Sequence, residues 1–503
     1  MSATASHIER LNRIGIALSS ETDLGRLLHL IVTEARGFTR ADAGSLYTLE
    51  GETLYFRVAQ NDTLDTPGSG RSFKPVPIPL SAASIAGYVA LSGELLHIDD
   101  VYALPEGAPY RFNADYDRQS GYRTRSMLVV PMKDPDGAIV GVLQLINAKD
   151  REGRAAGFSR QFDSLNLSLA SQAAVAIRNA RLIAYIKGLF EALIRYSASA
   201  IDARSPHTAG HSRRVAAYSL IIARAIHAAP EGPFAEAAFS RERLDRLAYA
   251  AWLHDIGKIG VPENILDKRY RLPPGRESVI ESRFCLAAAL KELAVHRSGA
   301  EPAALDEARR YAERLQAALS RIMAVNAGNW LSEPDRELLD EIARETYTDA
   351  AGNQAPLLLP DEFCYLGVQK GNLTAEEYGV MQGHVLHTLR IVENIPFTGH
   401  LARVPEIASS HHEMLDGSGY PRKLTAERIP LEARILAMVD IFDALTAMDR
   451  PYRKAMPPEK ACGILLEEAR AGRLDADIVN LFVDKRLYEK LSDELAGQGE
   501  AAA

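Results

Sequence analysis

The first third of the chain mixes short apolar runs with turn signals. Apolar side chains cluster over 45–49 and 52–59, and again over 126–132 and 139–146. The second pair of runs flanks the sequence Lys-Asp-Pro-Asp-Gly at 133–137, and these residue types favour a tight turn between strands. The pattern predicts two β-hairpins in an α+β domain built around an antiparallel sheet, which we place at residues 1–160.

The apolar spacing then changes to a 4–3 repeat over residues 161–201. Its members are Leu169, Ala173, Ala176, Ala180, Ile183, Phe190 and Ile194, with Lys187 as the one break. Such a repeat is typical of helices that pair along a seam. We therefore predict a connecting helix that pairs in parallel with a second copy and makes the protein a homodimer. The alternative is a helix that packs on its own domain.

The rest of the chain has the pattern of an all-helical domain, which we place at residues 202–465. Within it, residues 270–372 contain charged, amphipathic helical stretches without clustered histidines, and we interpret them as a helical insertion. Residues 466–503 are predicted to be a C-terminal helical tail.

Composition narrows the class of protein. A chain of 503 residues exceeds one ordinary core and predicts two or three domains. The net charge of −8 gives no general attraction for nucleic-acid polymers or anionic membranes. Three cysteines without a CxxC spacing, no secretory signal and no run of about 18 apolar residues lead us to expect a cytoplasmic protein outside the membrane.

Candidate chemistry concentrates after residue 200, where ten of the 13 histidines lie. Five groups of histidine and aspartate recur within apolar helical sequence. They are His207 with His211, His254-Asp255 followed by Lys258, His384, His411-His412, and Asp440 with Asp443. Imidazole and carboxylate without thiolate suit Fe, Mn, Zn or similar divalent ions. An adjacent His-Asp pair could serve two ions, because one carboxylate can bridge them; Asp443 could instead only cap a helix.

Lys258 lies one helical turn beyond His254, where a fixed ammonium could neutralise a phosphate oxygen. A metal cluster would also offset the net negative charge of the protein toward an anionic substrate. Each of the five groups is weak evidence alone, but together and in this order they predict a dinuclear-type metal centre for phosphoester hydrolysis.

The second half of the chain resembles the HD-GYP subgroup of the HD phosphohydrolases over residues 190–268 and 370–465. The motifs are HDIGK at 254–258, HHExxDGSGYP at 411–421, and DxFDALT at 440–446 followed by RPYRKA. The resemblance implies an all-helical domain with two or three divalent metal ions, often Fe or Mn. It also implies hydrolysis of cyclic di-GMP to linear pGpG, to GMP, or to both.

Carried over by position, the resemblance implies a set of metal ligands, with Asp255 also catalytic. They are His211, His254, Asp255, His384, His411, His412 and Asp440. It further implies that Lys258 contacts the scissile phosphate and that Tyr420, Arg450 and Arg453 bind substrate. His207 stands where members with three metals carry Glu, so His207 is a candidate for a third site. The long spacing from His254 to His384 is the basis for the predicted insertion.

Residues 20–180 resemble a GAF domain of the kind found in cyclic-nucleotide phosphodiesterases. The supporting sequence includes LQLINAK at 143–149 and FSRQFD at 158–163. The resemblance implies a ligand pocket supported by Asn147, Phe158 and Asp163, although Ala148 stands where Lys is expected. A cyclic nucleotide or another small molecule is one expectation for this domain. A structural or dimerising role without ligand is the other.

Three hypotheses for the function remain. The first is a cyclic di-GMP phosphodiesterase regulated by the GAF domain through the 161–201 helix. The second is a non-catalytic receptor for cyclic dinucleotides. A missing metal-ligand residue would favour this hypothesis, but none is missing. The third is an HD hydrolase of another cyclic dinucleotide such as cyclic GMP-AMP, because the motifs do not separate one cyclic dinucleotide from another.

Overall fold

The computed structural model describes residues 3–21, 23–64, 76–204, 210–229, 231–298, 302–447, 455–491 and 494–495. The chain divides into two compact units, Met1–Glu191 and Ala192–Ala503. None of the helices in these ranges combines the length and the apolar character that a membrane span requires.

The first unit is an antiparallel sheet covered by helices. Its elements in chain order are α1 (Ala3–Ser20), α2 (Leu24–Thr39), β1 (Ala41–Glu50), β2 (Thr53–Asn61), β3 (Val76–Pro79), α3 (Ile85–Ser92), β4 (Leu96–Ile98), α4 (Asp115–Ser120), β5 (Met127–Lys133), β6 (Ile139–Lys149), β7 (Ala155–Ala156) and the start of α5 (Asp163–Arg204). The strand order is β3-β2-β1-β6-β5-β4, with β7 paired to β6, and every pairing is antiparallel. The predicted α+β class and both predicted hairpins, β1–β2 and β5–β6, are therefore confirmed.

The alternation of side chains along β5 divides the apolar residues between two cores. Leu128, Val130 and Met132 point to one face of the sheet and pack with α2 and α5. Met127 and Val129 point to the opposite face and pack with α3. A strand that is apolar on both faces needs cover on both sides, and the helices provide it.

The helix α5 packs on its own domain along the first part of the predicted 4–3 seam. Leu169, Ala173, Ala176 and Ala180 are buried in the core shared with the sheet and α2. As a surface for pairing with a second copy, the predicted seam is therefore wrong over 169–180. The periodicity showed that one face is apolar but not what covers that face.

The described residues of the second unit form helices, as predicted, together with a small hairpin. Its elements are α6 (His211–His227), α7 (Arg241–Leu253), α8 (Glu263–Leu266), α9 (Arg276–Arg297), α10 (Pro302–Ala327), α11 (Glu333–Arg344), β8 (Thr346–Thr348), β9 (Gln354–Pro356), α12 (Pro360–Leu366), α13 (Ala375–Gln382), α14 (His384–Glu393), α15 (Val404–Ala408), α16 (Leu431–Thr446), α17 (Pro458–Arg470) and α18 (Ala476–Asp484).

The described residues of this unit form two hydrophobic clusters. One of them draws all of its buried members from residues 272–366, within the segment interpreted as an insertion. The main cluster joins α6, α7, α16, α17 and α18. Ile478, Phe482 and Leu487 are buried in it, so the interpretation of 466–503 as a tail is wrong for these residues, which complete the core.

A buried ion-pair network ties α7 to α16. The Glu432 carboxylate of α16 accepts from Arg243 Nε at 2.9 Å and from Arg246 Nη2 at 2.8 Å, both on α7. Burial would raise the pKa of Glu432, but the hydrogen bonds from these arginines lower it to about 2 from 4.5. Because His254 directly follows α7 and Asp440 lies on α16, the network fixes the helices that carry candidate metal ligands.

We expect Glu432→Gln to lower the free energy of unfolding of the helical unit by about 3 kcal/mol at pH 7, because it leaves two arginines without their anion. The wild-type contribution is complete above pH 4.5 and is lost as the pH falls toward 2. Denaturation curves of the two proteins should therefore converge below pH 4.5. A difference that stays constant from pH 7 to pH 3, or an equal loss in the exposed Glu427→Gln control, would contradict this assignment.

Candidate metal centre

Seven predicted ligands from separate elements converge in the helical unit. His211 begins α6, His384 begins α14, and Asp440 lies within α16. The His254-Asp255 pair follows the last residue of α7, and the His411-His412 pair follows α15. Their ligand atoms form three groups suited to a metal ion, which are His384 with His411 and His412, His211 with His254 and Asp440, and His254 with Asp255 and His411.

The Asp255 carboxylate lies at the middle of the cluster and faces histidines on both sides. Its Oδ2 is 3.5 Å from His211 Nε2 and 3.4 Å from His254 Nε2. Its Oδ1 is 3.4 Å from His384 Nε2 and 3.9 Å from His411 Nε2. Each carboxylate oxygen thus points to a different pair of imidazoles, and this arrangement suits a carboxylate that bridges two cations.

Backbone carbonyls fix the tautomer of three of these histidines. The Nδ1 of His254 donates to Ala251 O at 2.7 Å, and the Nδ1 atoms of His384 and His411 donate to carbonyls three residues earlier at 2.6 Å. A carbonyl oxygen only accepts, so the neutral imidazoles keep a lone pair on Nε2. These Nε2 atoms are buried and have no hydrogen-bond partner among the described residues. A buried nitrogen lone pair without a partner is unfavourable, and a metal ion would be such a partner. The site therefore fits divalent metal ions.

Burial keeps most of these imidazoles neutral. It lowers the pKa of His384 and of His411 to about 4, and it lowers the pKa of His254 and of His412 as well. Neutral imidazole is the form that binds metals, so these four histidines are ready as ligands at neutral pH. Burial would lower the pKa of His211 as well, but its three neighbouring carboxylates raise it.

The carboxylates remain ionised despite their burial. Burial would raise the pKa of Asp255, but the positive charge of Lys258 and the neighbouring histidines lower it well below its usual value. Burial also opposes ionisation of Asp440, whose pKa the hydrogen bond and charge of His211 lower. Two buried anions in one cluster attract cations strongly.

Asp443 orients His211 from outside the ligand set. Its Oδ2 lies 2.8 Å from His211 Nδ1, and Arg214 Nε donates to its Oδ1 at 2.7 Å. Asp443 is buried and lies within α16, so it is not the helix cap that the sequence allowed. Its spacing of three residues from Asp440 on α16 is the signal that could have placed both carboxylates on one helix face.

Two close packing contacts hold the ligand-bearing segments together. A Cβ on Gly257 would lie 2.0 Å from His384 O, so only glycine lets this turn approach α14. Thr388 Oγ1 accepts from Gly257 N at 3.0 Å and donates to His254 O at 2.8 Å. No sequence motif indicates this role for Thr388.

The turn after the paired histidines is fixed in a similar way. A Cβ on Gly419 would lie 2.3 Å from Met414 N. The buried Glu413 carboxylate accepts from Arg422 N at 2.7 Å and Leu424 N at 2.8 Å. The loop therefore packs directly on the segment that carries His411 and His412.

The predicted substrate-binding residues divide into two groups. Lys258 Nζ donates to Asp255 Oδ2 at 2.5 Å, and the Tyr420 ring lies against His412 with 4.8 Å between ring centroids. Both side chains therefore border the cluster. His207, Arg450 and Arg453 lie outside the described residues.

The last turn of α5 contacts two ligand-bearing segments, which the sequence did not reveal. Asp202 accepts from Ser212 N at 3.1 Å, directly after His211. Arg204 Nη1 donates to Ile259 O at 2.8 Å in the turn that follows Lys258. The end of α5 is thus part of the framework of the centre.

The first unit contains a separate cavity of about 450 Å³ on the α3 side of its sheet. Tyr47, Phe56, Phe112 and Ile146 contribute to its largely apolar lining. Asn147, Phe158 and Asp163 do not line this cavity, although Asn147 lines a second depression beside Asp42 and Tyr122. The expectation that these three residues support a ligand pocket stays a prediction.

Each of these three residues makes contacts within the first unit. The Asn147 side chain accepts from Arg125 N at 2.7 Å and donates to the Tyr122 hydroxyl at 2.9 Å. Phe158 packs in the core on the α2 and α5 side of the sheet. Asp163 pairs with His97 at 2.8 Å. These contacts make the three residues parts of the scaffold.

Comparison with known proteins agrees with the two units. Residues 23–177 match the GAF domain family, and residues 208–340 and 336–478 each match HD domain families. A GAF domain structure from an Acinetobacter phosphoenolpyruvate-protein phosphotransferase covers 37% of this chain and 99% of its own, with 19% identity and a TM-score of 0.28.

Two curated relatives come from Vibrio cholerae serotype O1. The 3'3'-cGAMP-specific phosphodiesterase 3 is 29% identical over 55% of this chain and 35% of its own length. A cyclic di-GMP phosphodiesterase is 38% identical over 23% of this chain and 24% of its own length. The matched part of this chain thus spans about a third or less of the length of either relative.

We expect Asp443→Ala to weaken binding of one metal ion by about 10–100-fold, because His211 loses the partner that orients its ring. Titration of the metal-free protein with Mn(II) by calorimetry should show one weakened site and one unchanged site, since His384, His411 and His412 do not contact Asp443. Asp443→Asn should lose less affinity, because its amide oxygen can still accept from His211 Nδ1. If the affinity of every metal site fell equally, Asp443 would stabilise the fold as a whole and would not orient His211.

Proposed function

We propose that this chain, which carries a GAF domain and an HD domain, is a metal-dependent phosphodiesterase. In this proposal it hydrolyses cyclic di-GMP to linear pGpG, GMP or both. The observation that carries the proposal is Asp255, whose two oxygens face separate pairs of histidine nitrogens. A centre with a shared carboxylate and open histidine nitrogens matches the needs of phosphodiester cleavage.

The described residues would hold two ions, with Fe or Mn as the proposed metals. Asp255 would be shared, His211, His254 and Asp440 would hold one ion, and His384, His411 and His412 the other. A third ion near His207 remains a prediction from the sequence. When bound, such ions supply positive charge for the phosphate oxygens and lower the pKa of a water nucleophile.

The protein's own groups bind and orient the substrate around the ions. Lys258 is half-buried beside Asp255, and the charge of Asp255 raises the pKa of Lys258 although burial opposes it. The ammonium therefore stays charged and is placed to neutralise a phosphate oxygen at the edge of the cluster. The Tyr420 ring beside His412 offers a surface to the substrate. We propose that Arg450 and Arg453 hold the second phosphate or a guanine.

The second candidate substrate is 3'3'-cyclic GMP-AMP. The relative aligned over 55% of this chain is named for that substrate, so the similarity supports this assignment as much as the cyclic di-GMP one. The candidate metal ligands and Lys258 would serve the hydrolysis of either dinucleotide in the same way. A non-catalytic receptor is less favoured, because every described position of the expected ligand set carries a ligand residue.

We propose that the GAF domain regulates the centre through α5. This helix extends from the first unit into the second, and its Asp202 and Arg204 contact the segments next to His211 and Lys258. A shift of the last turn of α5 would therefore move ligand-bearing segments directly. Asp202→Ala should lower turnover while the metal content stays near that of the wild type, and unchanged turnover would contradict this route.

The activity is tested by anaerobic incubation of the Fe(II)- or Mn(II)-loaded protein with each cyclic dinucleotide, followed by chromatographic separation of the products. We expect Asp255→Ala to lose metal and turnover, because it removes the shared carboxylate. Lys258→Ala should keep its metals and turn over at least about 10-fold more slowly, since only charge near the phosphate is lost.

The outcomes separate the candidate functions. Linear dinucleotide or GMP from cyclic di-GMP supports the proposed substrate, and faster cleavage of 3'3'-cyclic GMP-AMP supports the second candidate. Tight binding of either dinucleotide without product, at full metal occupancy, would favour the receptor. Full activity of Asp255→Ala would overturn the proposed centre.

A further inference from the structure

Tyr378 is an exposed aromatic side chain on α13, the helix that directly precedes the candidate ligand His384. Tyr378 is 50% exposed. Within the part of the chain that the structure describes, its side chain forms no hydrogen bond and no contact with another ring. A tyrosine ring in this state offers an apolar face and a polar hydroxyl to a ligand.

Contacts at both ends of α13 fix the position of Tyr378. Near the start of the helix, the Glu377 carboxylate accepts from the Lys268 ammonium at 2.7 Å. At its end, Met381 O accepts from His384 Nδ1 at 2.6 Å. A side chain on a helix that is held at both ends is placed more precisely than one on a loop.

The same contacts bring Tyr378 close to the metal centre. Tyr378 and Met381 are three residues apart, so both lie on one side of α13, about 4.5 Å apart along its axis. The carbonyl of Met381 contacts the His384 ring, whose Nε2 is 3.4 Å from Asp255 Oδ1. A long side chain less than one helical turn away can therefore border the position of a substrate at the centre.

Tyr420 borders the cluster as well. Its ring lies against His412, with 4.8 Å between the ring centroids. Burial raises the pKa of Tyr420, and the electrostatic effect of Tyr378 raises it further, so the two tyrosines are neighbours. Tyr378 makes no ring contact with the described residues, and hence the two rings are near each other without stacking on each other.

We propose that Tyr378 stacks on a base of the cyclic dinucleotide and thereby sets how tightly the substrate binds. The inference rests on the proposed function, because it requires a nucleotide substrate. A dinucleotide with one phosphate at the ions carries a nucleoside on each side of that phosphate. Its bases therefore lie next to the groups that border the centre.

Stacking supplies what the centre itself does not offer to the bases. The ions and Lys258 act on the charge of the phosphate, which is common to all phosphodiesters. A base is neutral and flat, and every base has a π-face that an aromatic side chain can contact. Tyr378 would therefore favour dinucleotides over simple phosphodiesters, and it would serve cyclic di-GMP and 3'3'-cyclic GMP-AMP alike.

Steady-state kinetics of the metal-loaded full chain test this role. Tyr378→Ala should raise KM for cyclic di-GMP by about 10-fold, with kcat within about twofold, because stacking holds the substrate without acting on the reacting atoms. Tyr378→Phe keeps the ring and should keep the wild-type KM. The matched control is Val380→Ala, which removes a 44% exposed side chain elsewhere on α13 and should change neither parameter.

The outcomes separate this inference from the proposed function. A wild type that cleaves the dinucleotide, with an unchanged KM in Tyr378→Ala or an equally raised KM in Tyr378→Phe, would overturn the stacking role and leave the activity standing. If the wild type binds a dinucleotide without cleaving it, calorimetry should show the same loss of affinity, about 10-fold, in Tyr378→Ala. A wild type that neither binds nor cleaves either dinucleotide would overturn both proposals.

Metal analysis of the same proteins excludes an indirect effect. All four should contain equal amounts of metal, because the proposed role of Tyr378 is toward the base and not toward His384. A loss of metal in Tyr378→Ala would show that the side chain supports the ligand through α13, and it would overturn the inference.

Discussion

The helical unit depends on the burial of the Asp255 carboxylate among histidines. Asp255 is 4% exposed, and an ionised carboxylate in such a place is costly unless cations and hydrogen-bond donors surround it. Lys258 supplies one positive charge, and the open Nε2 atoms of His254, His384 and His411 leave room for metal ions to supply more. The segments that bear these groups are held in place by contacts that serve this cluster, including Glu432 with two arginines and Thr388 with the Gly257 turn.

Two further buried carboxylates near the centre are neutralised in the same way. Asp443 is paired with Arg214 and His211, and Asp202 is satisfied by Ser212 at the start of α6. These partners couple His211 to α16 on one side and to the end of α5 on the other. In the regulation proposed above, a shift of α5 would reach the candidate ligand His211 through the hydrogen bond from Ser212 N to Asp202.

The sequence predicted those features that depend on local pattern. The run 126–132 became β5, Met127–Lys133, because alternation and a tight turn specify a hairpin locally. Six of the seven metal-ligand candidates lie at a helix end or in a turn, and Asp440 lies within α16. Features that depend on tertiary contacts were predicted poorly. The apolar repeat that includes Leu169 and Ala173 does not indicate which surface covers it, and in the structure its own domain does. The sequence around Asn147 likewise does not indicate that its amide forms hydrogen bonds with backbone groups.

The most direct test of a shared carboxylate is electron paramagnetic resonance of the metal-free protein titrated with Mn(II). If Asp255 joins two ions, the fully loaded wild type gives the spectrum of a spin-coupled manganese pair. Asp255→Asn, which keeps the shape but not the charge, should give only isolated Mn(II) signals at the same loading. An isolated-ion spectrum from the fully loaded wild type would contradict the account.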